Sequence, residues 1–83
     1  MSKRVIIGIQ IAERAKLAAE VQTVLTEFGC DIRTRLGLHG GEKGSCPADG
    51  LILLELVCDK KAGTIKEKLA AIPGVNVQMM VFE

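Results

Sequence analysis

Residues 51–58 read LILLELVC, an apolar run that only Glu55 interrupts. A run of this length and composition is typical of a central β-strand with apolar side chains on both of its faces. Cys30 to Leu38 alternates apolar with mostly charged residues, as half-buried strands do, and Val75 to Phe82 is read as a strand that sets Asn76 and Gln78, with Met80 and Phe82, on the side opposite Val75 and Val77. Residues 51–58 therefore predict a sheet whose middle is more apolar than its edges.

The same succession of strand and helix occurs twice along the chain. Val5 to Ile11 alternates like a strand with one face on a core, and residues 12–28 then carry apolar side chains at three- and four-residue steps. A second helix of about a dozen residues is predicted after Asp59, before the last strand. The resulting order, β-α-β-β-α-β, predicts a ferredoxin-like α+β sandwich.

Local signals predict where the helices begin and end. Gly29 stands where a left-handed residue would end the first helix. Thr64 and Glu67 have the spacing of a capping box at the start of the second helix, and Pro73-Gly74 ends it.

The polarity of the predicted strands indicates their spatial order, because edge strands tolerate charged and amide side chains better than central ones. The first and third strands are the apolar pair, whereas the second and fourth carry the charges and amides. We therefore expect the order 4-1-3-2, with antiparallel neighbours and both helices on one face. A single domain is expected over residues 1–83, since a chain of this length is near the lower limit for an independent core.

The face of the sheet without helices is predicted to be unusually apolar, with polar positions that include Gln10 and Gln78. Its expected ligand or interface residues are Ile6, Arg33, Arg35, Leu51, Leu53, Glu55, Val57, Met80 and Phe82. The alternation places Glu55 opposite Arg33 or Arg35, as a surface ion pair. Soluble monomers rarely expose so large an apolar patch, so we expect a homo-dimer or homo-tetramer, or a ligand held between subunits.

The composition disfavours nucleic-acid and membrane binding. Eleven basic and ten acidic residues give a net charge of +1, and the two phenylalanines are the only aromatic residues. Neither a long-range positive field nor stacking on aromatic rings is therefore available to bind nucleic acid. No segment has the apolar length of a membrane helix or a secretion signal, and three cysteines do not suggest a disulfide framework. We expect a cytoplasmic protein with no membrane contact.

A metal site is one alternative that the residue types leave open. Cys30, His39, Cys46 and Cys58 suffice in number for a Cys3His site, but the chain has no Cys-x-x-Cys spacing. Cys58 is expected as a buried thiol and Cys30 as packed under the first helix, which leaves His39 and Cys46 as possible ligands, bridging subunits. The glycine-rich residues 39–50 lack phosphate-loop spacing.

No catalytic constellation stands out, so we expect no enzyme activity, no catalytic residues and no cofactor. An acylphosphatase-like hydrolase, kept as a further alternative, would need an arginine in the first strand-to-helix turn beside an asparagine. Arg14 is available, but Asn76 in the last strand is the only asparagine. Arg33 and Arg35 could belong to a β-ribbon that reads DNA, although charge on an edge strand that prevents aggregation is the preferred interpretation.

Three segments resemble a known family. They are Lys3-Arg4 at the start of the first strand, residues 31–37 (DIRTRLG), and residues 64–75, which end in Ile-Pro-Gly-Val. Over essentially its whole length the chain resembles small ACT-like proteins described as regulators of the iron-only hydrogenase system, which are related to the sensor domain of nickel regulators. The resemblance implies a domain that assembles through its sheet, regulates transcription and responds to a small-molecule effector.

The sequence departs from these relatives at two places. Residues 10–14 read QIAER, where amino-acid-binding ACT domains usually have Asp-x-Pro-Gly. Nickel regulators carry a DNA-binding segment before the sensor domain, whereas here the sensor-like strand begins near residue 4. We therefore expect no direct contact with nucleic acid.

Overall fold

The computed structural model describes residues 4–12, 14–38, 50–57 and 59–83. The strands are β1 (Arg4–Ile11), β2 (Ile32–Leu38), β3 (Gly50–Leu56) and β4 (Val75–Phe82), and the helices are α1 (Arg14–Glu27) and α2 (Ala62–Ala70), with a short 3-10 helix at Gly29–Asp31. The strands form one antiparallel sheet in the order β2-β3-β1-β4. The predicted ferredoxin-like α+β fold and strand order are confirmed.

The core lies between the two helices and one face of the sheet. The buried apolar side chains of the described residues are Val5, Ile7, Ile9, Ile11, Val21, Leu25, Phe28, Leu54, Leu56, Ala62, Ile65 and Leu69. β1 buries every second residue and α2 buries residues at three- and four-residue steps, as the geometry of each element requires. No polar or charged residue of the described part of the chain is buried, so apolar burial and packing hold the core together.

A β-bulge in β2 changes the face on which its side chains lie. Ile32 pairs with Leu56, but Thr34 already pairs with Glu55, so Arg33 is an extra residue in the ladder. From Thr34 to the end of β2, each side chain lies on the face opposite to the one that regular alternation from Ile32 predicts.

The bulge moves Arg35 to the helix-bearing face and Leu36 to the other. Arg35 pairs with the buried Leu54, and its Nη2 donates a hydrogen bond of 2.7 Å to Oε1 of Gln22 in α1. Leu36 is half exposed on the face without helices. The predicted placement of Arg35 on the face without helices is therefore wrong.

The first helix ends without a left-handed glycine. After Glu27 the chain tightens into the 3-10 helix, in which the Asp31 N–H donates to the Phe28 carbonyl at 2.9 Å. Among the described residues only Gly74 has a positive φ, of 88°. Gly74 therefore has the conformation predicted for Gly29, and it lies in the turn between α2 and β4.

The second helix begins without the predicted capping box. Its N-cap is Lys61, which makes no side-chain capping hydrogen bond, and Ala62 is the first helical residue. Thr64 consequently lies inside the first turn and cannot act as the N-cap. None of the helices in the described ranges is long and apolar enough to cross a membrane.

Candidate functional site

We call the sheet face without helices the open face, because no described element of the chain covers it. Three cross-strand rows run over β3, β1 and β4: Glu55-Ile6-Met80, Leu53-Gly8-Gln78 and Leu51-Gln10-Asn76. On β2, the register continues these rows with Thr34, Leu36 and Leu38, and Arg4 pairs with Phe82 beyond the first row.

The open face exposes several large apolar side chains. Phe82, Met80, Leu36 and Leu51 are 52, 55, 50 and 39% exposed, respectively. β3, predicted to be buried on both faces, is buried on only one face in the single chain, since Leu54 and Leu56 contact the core whereas Leu51 stays exposed. No described helix or strand therefore covers the apolar residues of β3 on the open face, Leu51 and Leu53.

One end of the open face carries an ion pair between neighbouring strands. Nε and Nη2 of Arg4 donate to Oε2 of Glu55 at 3.1 and 2.6 Å. The prediction that Arg33 or Arg35 pairs with Glu55 is corrected. Thr34, instead of Arg33, stands opposite Glu55, and Arg35 lies on the other face. Arg4 reaches Glu55 diagonally from β1. The Arg4 side chain is largely exposed, whereas the Glu55 side chain is only 18% exposed.

The ion pair changes the titration of Glu55. The hydrogen bond from Arg4 is the largest cause that lowers the pKa of Glu55; desolvation opposes it, and the charges of Arg4 and Arg33 and a hydrogen bond from Thr34 lower it further. Because the folded state has the lower pKa, ionised Glu55 stabilises the fold above the pKa of an unfolded glutamate, about 4.3. That contribution is lost as the pH falls through the lowered pKa.

Replacing Arg4 is expected to raise the pKa of Glu55. Arg4→Met removes the hydrogen bond and the charge but keeps an apolar stem, so the Glu55 carboxyl resonance should titrate at higher pH in an NMR experiment. Arg33→Met should raise the pKa less, because it removes only a smaller charge effect. Arg35→Met serves as the control and should leave the pKa unchanged. A Glu55 pKa that does not rise in Arg4→Met would contradict the ion pair.

The other end of the open face contains a shallow hollow of about 270 Å³. It is lined by Gly8, Gln10, Leu51, Asn76 and Gln78. Gly8 lies at the centre of the sheet, and its missing side chain exposes backbone between the flanking residues. The alternation of the strands predicted Gln10 and Gln78 on this face but did not predict the hollow, although a strand glycine beside an amide residue is a signal for one.

The remaining predicted site residues have different surroundings. Val57 follows β3 directly, is 46% exposed, and its N–H donates to the Asp31 carbonyl at 2.8 Å. His39, Cys46 and Cys58 lie outside the described residues, so the metal alternative stays a prediction. Within the described ranges, no group of three or more His, Cys, Asp or Glu residues is arranged to hold a metal ion. Cys30 is exposed.

The fold is shared with several proteins of known structure. An uncharacterized protein from Thermotoga maritima is 28% identical, with a TM-score of 0.81 over 98% of this chain and 99% of its own. The ACT domain of GTP pyrophosphokinase from Chlorobium tepidum is 18% identical, with a TM-score of 0.64 over 96% and 89%. A nitrogen regulatory PII-like protein from Thiomonas intermedia, bound to ADP, AMP and bicarbonate, is 16% identical, with a TM-score of 0.59 over 98% and 93%.

These likenesses define the class of fold. The described residues have the ferredoxin-like fold that this ACT domain and this PII-like protein share. No family model and no curated protein matches its sequence.

Proposed function

We propose that this chain is a non-enzymatic regulatory domain of the cytoplasm that responds to a small ligand and assembles through its open face as a dimer or tetramer. The observation that carries the proposal is the set of exposed apolar side chains on that face, which includes Leu36, Met80 and Phe82. Soluble monomers rarely leave so many large apolar side chains of one face in water, because covering them is favourable.

A second copy of the chain fits the open face in size. Four strands of seven or eight residues, with a rise of about 3.4 Å per residue and a spacing of about 4.8 Å between strands, give a face of about 500 Å². Two copies would then bury about 1,000 Å² in total, which reaches the lower limit for a specific interface.

A second copy also fits the open face in charge. A two-fold axis brings identical surfaces together, so an interface of this kind must be complementary to itself. Arg4 and Glu55 already neutralise each other within one chain. The carboxamides of Gln10, Asn76 and Gln78 both donate and accept hydrogen bonds, so each can pair with its own kind. No like charges need to be buried against each other.

The regulatory part of the proposal is supported by the fold and by the resemblance of the sequence. The domain shares its fold with the ACT domain of GTP pyrophosphokinase and with a nitrogen regulatory PII-like protein. Its segments, including residues 31–37, resemble regulators of the iron-only hydrogenase system. We therefore propose transcriptional control of that system, through a separate partner that reads DNA.

Placing a charge on the open face is expected to separate the subunits. Met80→Glu puts a carboxylate in the apolar interface, where an unpaired charge costs about 2 kcal/mol or more, so the dissociation constant should rise at least about 30-fold. Sedimentation equilibrium over a concentration series measures the change. Val81→Glu is the matched control, because Val81 is the next residue, is 45% exposed, and pairs with the core residue Val5 on the other face.

The expected result is an assembled wild type, an assembled Val81→Glu variant and a monomeric Met80→Glu variant, all with the same circular dichroism spectrum. A wild type that remains monomeric at every concentration would overturn the proposed assembly. Equal dissociation of the Met80→Glu and Val81→Glu variants would exclude the open face as the interface between subunits.

A further inference from the structure

Three carboxamide side chains converge at the hollow on the open face. Gln10 lies on β1, and Asn76 and Gln78 lie on the neighbouring β4. None of the three side chains makes a hydrogen bond with another group of the described chain. Together they offer both N–H donors and C=O acceptors at one place, with their hydrogen-bonding capacity free.

The other walls of the hollow determine which ligands suit it. Gly8 gives a flat floor on which a ring can approach the backbone, and Leu51 adds an apolar wall. Among the described residues no charged side chain lines the hollow, since the pair of Arg4 and Glu55 lies at the opposite end of β1. A charged ligand would lose water without gaining a counter-charge, whereas a neutral polar ligand loses much less.

We infer that this hollow binds an uncharged planar ligand that carries a carboxamide or an equivalent N–H and C=O edge, as in a nucleobase. The amides of Gln10, Asn76 and Gln78 pair with that edge, and its ring lies over Gly8. The inference rests on the proposed function, because a second copy across the open face closes the shallow hollow and removes water from it.

A pair of small probes that differ in one group tests the inference. Nicotinamide carries the carboxamide on an aromatic ring, whereas nicotinate carries a carboxylate on the same ring. In ¹H–¹⁵N NMR titrations of the wild type, nicotinamide is expected to shift the Gly8 amide and the side-chain NH₂ signals of Gln10, Asn76 and Gln78. Nicotinate should bind at least about tenfold more weakly, because none of the described residues that line the hollow carries a charge to pair with its carboxylate. Equal binding of both probes, or binding of neither, overturns the inference.

Two glycine variants locate the binding. A Cβ added at Gly8 would lie 3.7 Å from Cδ2 of Leu53 and 3.9 Å from the Gln78 carbonyl oxygen, which is ordinary contact, so Gly8→Ala should fold. The methyl group occupies the floor of the hollow, and nicotinamide binding should fall at least about tenfold. Gly37→Ala is the control on β2, because a Cβ there meets nothing within 4 Å. Undiminished binding in Gly8→Ala would place the ligand elsewhere and overturn the inference.

The oligomeric state, measured on the same samples, separates this inference from the proposed function. An assembled wild type that does not bind nicotinamide overturns the inference alone. A wild type that is monomeric overturns the proposed assembly, whatever it binds.

Discussion

Replacing Leu69 with alanine is expected to lower the free energy of unfolding by about 3 kcal/mol, within a usual range of about 2–5 kcal/mol for such a change. Leu69 is fully buried on α2, in the cluster that also contains Ile7 and Ile65. Alanine has the highest helix propensity, so helix formation alone predicts no loss for this substitution. The size of the loss therefore measures the cavity and the lost packing, not a weaker helix.

Urea denaturation followed by circular dichroism measures this loss. All variants should be compared at one protein concentration, because assembly makes the apparent stability depend on concentration. Leu69→Met is the control, since it keeps the volume nearly constant and should cost less than about 1.5 kcal/mol. A Leu69→Ala variant as stable as Leu69→Met would contradict the burial of Leu69 in the core.

The fold could be predicted because each element reports its own environment. Alternation in β1 buries Val5 to Ile11 on one side, and the spacing of Ala62, Ile65 and Leu69 defines one side of α2. The apolar character of β3 compared with the charges of β2 also predicted which strands are central. These patterns lie within single strands and helices, so the sequence of one chain is enough to predict them.

The bulge in β2 could not be predicted from the same patterns. Arg33 adds one residue to the ladder without any glycine or proline to mark it, and every later side chain changes face. The predicted pairing of Glu55 failed for this reason, and because Arg4 reaches Glu55 along a diagonal that only the register of β1 and β3 defines.

The hollow on the open face depends on the register of two strand pairs. Gly8 and Gln10 are close in sequence, but Asn76 and Gln78 reach them only through the pairing of β1 with β4, and Leu51 only through its pairing with β3. The sequence pattern therefore predicts an apolar face with polar positions, whereas the clustering of the three amides follows only from the register of the strands.

Replacing Gly74 with alanine is expected to lower the free energy of unfolding by about 2 kcal/mol. Gly74 has a φ of 88°, which side-chain-bearing residues adopt at a cost of about 1–2 kcal/mol. A Cβ at this position would also lie 2.8 Å from Cδ1 of Leu17 in α1. The turn cannot easily move away, because the Gly74 carbonyl accepts a hydrogen bond of 3.0 Å from the Ala12 N–H.

A double-mutant cycle separates the two causes. If the contact with Leu17 contributes, Gly74→Ala combined with Leu17→Ala should lose less than the sum of the single losses, and the part that remains reports the backbone conformation. Gly63→Ala makes the same substitution inside α2, where φ is not positive and a Cβ meets nothing within 4 Å. That variant should be more stable than the wild type, by up to about 1 kcal/mol, because alanine favours helix. In the same urea or thermal unfolding series, the free energy of unfolding should therefore rise for Gly63→Ala and fall for Gly74→Ala. A Gly74→Ala variant as stable as Gly63→Ala would show that the turn does not need a residue with positive φ.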